Sequence, residues 1–112
     1  MDGVRQVFTY KETSVRSADG HPCVAVQLEK DASVSTDIEK GTILTYGSGS
    51  TLMVYESVGE PAMVAEYRIP KEDSHGTAIV HGSINKQTLK HNGADPSEAV
   101  IKKLMIAGIY AS

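Results

Sequence analysis

Four histidines, at positions 21, 75, 81 and 91, and one cysteine, at position 23, are the side chains best suited to metal or nucleophilic chemistry. The stretch IVHGSINKQTLKHNG, Ile79 to Gly93, carries two of the histidines, with a third, His75, just upstream. A structural zinc site needs four ligands at tight spacing, such as Cys-x-x-Cys or a helical His pair at i, i+4. No pair here has that spacing. His75 and His81 would share a face only on an unbroken strand, and Gly76 is expected to interrupt it. His21 and Cys23 would share a face of an extended chain, the germ of a Cys–His nucleophile. No oxyanion hole or orienting third group is legible around them. Cys23 therefore reads as a small buried hydrophobe, and as a lone cysteine it forms no internal disulfide.

Other chemical patterns are equally incomplete. Glu72-Asp73 is an adjacent carboxylate pair in a charged loop, where acidic residues normally solvate the chain. Gly47-Ser48-Gly49-Ser50 resembles a phosphate cradle, but no Lys-Ser/Thr and no helix follow it. Ser48 and Ser50 also lack the strand–elbow–helix context of a nucleophile.

The elements that would position these residues are short. The chain has 112 residues, one domain's length, with 40% hydrophobic residues, five Tyr, one Phe and no Trp. Its core must be aliphatic. Fourteen acidic against eleven basic residues give a net charge of −3. The cations are dispersed, which disfavours direct contact with nucleic-acid phosphates. Met1-Asp2 opens no signal peptide, and apolar runs such as Leu104–Ala107 are far too short for a membrane span. A soluble chain made in the cytosol is expected, with no cofactor and no metal.

CVAVQL reads as a strand. Thr42–Tyr46 and Thr51–Tyr55 read as a hairpin around the Gly-Ser loop. GEPAMVAEYRIP holds a short apolar segment, and TAIVHGSI is a further strand with a bulge or close backbone approach at Gly82. The C-terminal segment predicts a helix with Asp95 as N-cap, Pro96 at its first position, Glu98 at its third and Gly108 beyond its end. IYAS then leaves as an extended tail. Residues 1–20 are polar apart from Val7, Phe8 and Tyr10 and read as an arm. The expected fold is mainly β with one short C-terminal helix, a small β-barrel or β-tulip-like domain over 21–112 behind a flexible arm at 1–20.

The order EKGTIL, a Gly-rich hairpin, GEPAMVAEY, TAIVHGSINKQTL and IKKLMIAGI resembles the lambda-like bacteriophage head decoration proteins. Gly41, Thr42, Ile43 and Leu44 match a Gly-Thr-Val-Leu strand start. Gly59, Ala62 and Ala65 match a small-residue segment. Gly82, Ile84 and Leu89 match a Gly-x-Val strand end with a following Leu, and Leu104, Gly108 and Ile109 match the closing pattern. The likeness covers residues 38–110 and departs from the family at AEYRIP.

The resemblance implies a non-enzymatic capsid-stabilising virion protein. It implies a homotrimer seated at three-fold and quasi-three-fold positions on an expanded phage head, cementing the major capsid protein against DNA pressure. It implies an arm, anchored by Val7, Phe8 and Tyr10, that orders on the capsid. The expected location is the capsid exterior, with the host cytoplasm during assembly, and neither nucleic acid nor membrane is an expected partner. On this reading, deleting residues 2–15 leaves the domain folded and abolishes capsid binding. A different class of reading is a small β-barrel that binds a ligand or peptide. A third is a hydrolase built on Cys23 and His21.

Overall fold

The computed structural model describes residues 14–18, 20–57 and 59–112. The chain is β-rich with one helix. Its elements are β1 (Val24–Glu29), β2 (Ile43–Tyr46), β3 (Leu52–Val54), β4 (Met63–Ala65), β5 (His75–Ile84), α1 (Glu98–Ile106) and β6 (Ile109–Ala111).

The strands form one sheet in the order β1-β5-β4-β2-β3, all antiparallel, with β6 added to β5 in parallel. Strand faces follow from alternation along each strand. Ile43, Val64 and Ile79 point to one side, where they meet Ile84, Leu89, Val100, Leu104 and Ile109. Their neighbours Leu44, Met63, Ala65 and Ala78 point to the other, where they meet Ile38, Leu52 and Ile69. Both faces of the sheet are therefore covered, and all three residues of β4 are buried. The long 30–42 connection closes the second side through the Ile38–Ile69 bridge. Lys30 bridges to Leu52, and the Asp31 N–H donates to the Leu52 carbonyl at 2.9 Å, so the two ends of the strand order approach each other.

The hairpin expected around the Gly-Ser loop is present as β2 and β3, in register from Leu44↔Val54 to Tyr46↔Leu52. Gly49 supplies a positive φ of 65° at its tip, whereas Gly47 is extended.

Three local expectations need correction. The helix N-cap is Ser97, whose hydroxyl accepts from the Val100 N–H at 3.4 Å, not Asp95. The helix starts where its apolar stripe starts, at buried Val100 and Leu104, and Ser97 is the capping residue that falls one turn ahead of that stripe. Pro96 precedes the cap and Glu98 is the first helical residue. Second, β5 runs unbroken through Gly76. That glycine serves packing: a Cβ there would lie 2.2 Å from the Ile69 Cδ1. Third, Ile109–Ala111 is no tail but β6. The Gly82 N–H donates to the Gly108 carbonyl at 3.0 Å, and the Ser112 N–H donates to the Ile84 carbonyl at 3.2 Å. Parallel neighbours need a long crossover, and α1 is that crossover between β5 and β6.

Candidate interaction surface

The histidines do not converge. His75 is exposed and bonds its own neighbour, Ser74 Oγ, at 2.8 Å. His91 stacks on Tyr55 with ring centroids 5.2 Å apart, and its Nε2–H donates to the Glu56 carbonyl. His21 and His81 both lie against Tyr110, at centroid distances of 4.7 Å and 6.1 Å. Among the described residues, no three His, Cys, Asp or Glu side chains are grouped to hold a metal ion.

Cys23 does not face His21 as a nucleophile faces its base. Its Sγ–H donates to the Ser83 carbonyl at 3.1 Å, and burial pushes the thiol pKa up. A thiol held protonated is a poor nucleophile. Glu72 and Asp73 are exposed in the turn before β5, and Ser48 and Ser50 are exposed on the hairpin tip.

The family-pattern residues fall on turning points and core. Gly41, Gly59, Gly82 and Gly108 all take positive φ, at 82°, 87°, 124° and 100°. Two of these positions exclude any side chain. A Cβ on Gly41 would sit 1.8 Å from the Thr88 carbonyl oxygen, and one on Gly82 would sit 2.6 Å from both the Pro22 carbonyl oxygen and the Cys23 Cα. Gly82 is thus the close backbone approach expected from its place in a strand. Leu104, on the inner face of α1, is fully buried.

Val7, Phe8 and Tyr10 lie outside the described residues. The described end of the 1–20 segment is stitched to the domain. Val15 belongs to the core, at 1% exposure. The Ser17 N–H donates to the Ser83 carbonyl at 3.0 Å, and the Asn85 N–H to the Val15 carbonyl at 2.8 Å. The Asn85 Nδ2 donates to the Ser14 carbonyl at 2.7 Å. The Arg16 guanidinium reaches across to Glu66, whose hydrogen bonds raise the arginine pKa above its already high value. Sequence reading missed Arg16 and Glu66. The available signal was Glu66 itself, a charge directly after the apolar run of β4, where burial demands a partner.

Two surface carboxylates, partly buried Asp31 and exposed Asp37, brace the loops. Asp31 accepts from the Ser33 hydroxyl and N–H, the Thr51 hydroxyl and the Ser48 N–H, which lower its pKa to about 2. It thereby ties the turn after β1 to the β2–β3 hairpin tip. The Lys71 N–H, and after it the Arg68 charge, hold the Asp37 carboxyl below its usual range and join the loop before β2 to the one after β4.

What remains open to partners is surface. Val24 is 52% exposed, Tyr67 61% and Ile106 84%. An open groove of 520 Å³ runs between the 36–42 segment and the Lys90–Gly93 turn, lined also by Val54 and Glu56. No helix among the described residues is long and apolar enough to cross a membrane.

These features define a small β domain with braced loops, a stitched N-terminal root and exposed apolar side chains. Compared with known proteins, the chain matches no family model and no curated protein.

Proposed function

We propose that the protein is a structural virion protein. It binds the outer surface of an expanded phage capsid as a homotrimer, at three-fold and quasi-three-fold positions, and cements the major capsid protein lattice against internal DNA pressure. It carries out no chemistry in this role. It acts on the capsid exterior after assembly in the host cytoplasm.

The observation that carries the reading is the fit of the decoration-protein pattern to one domain. The four pattern glycines are among the residues with positive φ, and Ile43, Leu44, Ile84, Leu89, Leu104 and Ile109 are all fully buried. The order of motifs is thus the order of this fold's turns and core, behind thirteen residues that precede Ser14. Three such arms on one trimer would bind by avidity, each weak contact raising the effective concentration of the next.

The test is co-sedimentation with expanded phage heads. The truncation needs adjustment, because removing residues 2–15 deletes core residue Val15 and compromises the domain. A chain lacking residues 2–13 keeps Val15 and Arg16. It should stay folded and lose capsid binding; wild-type occupancy of heads by that chain refutes the arm's role. The 520 Å³ groove supports the second reading, a peptide-binding module. That reading gains if a monomer binds extended peptides and ignores capsids.

A further inference from the structure

The end of β3 borders an open trough. The 520 Å³ groove that reaches the Lys90–Gly93 turn shares Thr36, Val54 and Glu56 with a second hollow, of 400 Å³, beside Ser33–Ser35 and Met53. The two therefore run into one another past Val54.

The backbone ladder shows what Val54 presents there. The Tyr55 N–H donates to the Ile43 carbonyl at 3.0 Å and the Gly47 N–H to the Thr51 carbonyl at 2.7 Å. Thr51, Met53 and Tyr55 thus turn their backbone groups to β2, while Leu52 and Val54 turn theirs away from it. Leu52 is met from that side, because Lys30 bridges to it and its carbonyl accepts from the Asp31 N–H. The chain then leaves in a turn, with the Val34 N–H donating back to the Asp31 carbonyl at 3.0 Å. Among the described residues, no group bonds the Val54 N–H or carbonyl. A strand's free N–H and C=O facing a groove form a template for another extended chain.

The walls say what that chain should carry. Val34 and Val54 are half-buried and pack on the core cluster of Leu44 and Leu52, which gives the trough an apolar floor. Most of its charges are already matched. Asp37 and Glu39 lie 2.7 Å and 3.5 Å from Arg68, and Lys90 lies 3.6 Å from Asp95. The Glu56 carboxylate, two residues beyond Val54, is exposed and has no ion-pair partner among the described residues. Its free charge complements a cation.

We propose that the trough binds an extended peptide segment of a partner protein, antiparallel to β3. One apolar residue exchanges both backbone bonds with Val54 and lays its side chain over Val34 and Val54. A Lys or Arg two residues earlier in the peptide meets Glu56, as antiparallel cross-strand pairing requires. The inference rests on the peptide-module reading and deepens it by naming the edge, the direction and the peptide pattern.

The test titrates three blocked, Thr-rich peptides into the full chain. One carries a lysine two residues before a valine, one has glutamate for that lysine, and one is the lysine peptide N-methylated at the valine. The lysine peptide should bind saturably and slow exchange of the Val54 amide about tenfold or more, while the Met53 amide, already bonded to β2, keeps its rate. N-methylation removes a backbone donor and should weaken binding about fivefold. Glu56→Lys should weaken the lysine peptide about threefold and strengthen the glutamate peptide. Binding that leaves the Val54 amide unchanged, or equal binding of all three peptides, overturns this site while the peptide-module reading stands. Absence of saturable binding by any of the three overturns both.

Discussion

The Arg16 guanidinium closes on the Glu66 carboxylate with two hydrogen bonds, Nη2 donating to Oε1 at 3.0 Å and Nε donating to Oε2. Glu66 is 6% exposed and Arg16 44%. The pair therefore joins the segment before β1 to the turn after β4 with one partner dry and the other wet. Removing the wet partner strands the dry charge. Arg16→Ala should cost about 1–2 kcal/mol in urea unfolding, the full buried-pair penalty being reduced by solvent at Arg16. Arg16→Ala combined with Glu66→Leu should lose less than Arg16→Ala alone. A double variant that is the less stable of the two would contradict a stranded-charge cost.

Two positive-φ glycines should differ in both backbone strain and surroundings. Gly82→Ala forces a Cβ into backbone atoms of Pro22 and Cys23 and should cost about 3 kcal/mol or more. Gly49, at φ 65°, is in the left-handed region that other residues can adopt, unlike Gly82 at 124°, and has nothing within 4 Å, so Gly49→Ala should cost only about 1 kcal/mol. Thermal unfolding of the two variants side by side measures the difference.

Asp31 sets an acid limit on the hairpin brace. Its folded pKa, about 2, lies below the ordinary aspartate value of 3.8. The stabilisation is thus present above the ordinary carboxylate range and disappears as pH falls through about 2. Asp31→Asn should be less stable than wild type from neutral pH down to about 5, and the gap should close between about 4 and 2. An NMR titration of the Asp31 carboxyl should give a midpoint near that lower value. A constant gap across the whole range would remove the carboxylate from the account.

The position of the helix start has its own test. Ser97→Ala removes the hydroxyl that accepts from Val100 and should cost about 1 kcal/mol. Asp95→Ala removes only an exposed pair, with Lys90 Nζ at 3.6 Å, and should change stability by less than about 0.5 kcal/mol. Urea midpoints in the reverse order would return the cap to Asp95.

Much of the fold is legible in the chain because the signals are local. Alternation assigns Ile43 and Leu44, or Ala78 and Ile79, to opposite faces before any partner is known. Two β-prone runs around Gly47–Ser50 give the hairpin, and the Val100/Leu104 stripe with Gly108 beyond it gives the helix. The candidate surface is less legible. Val7, Phe8 and Tyr10 stand out by composition, but the root that carries their segment is invisible there.

What only the tertiary structure decided depends on contacts between residues far apart in sequence. Ile109–Ala111 reads as a tail because no local pattern names β5 as its parallel partner; that pairing exists only after α1 has crossed the sheet. Val15 and Arg16 read as part of an arm because their partners, the core under α1 and Glu66, lie on distant segments. Gly76 reads as a break because its neighbour, Ile69, cannot be known from spacing. Local periodicity fixes which way a side chain faces. Only long-range packing fixes what it meets, and here that choice converts the end of an arm into a core anchor and a tail into a strand.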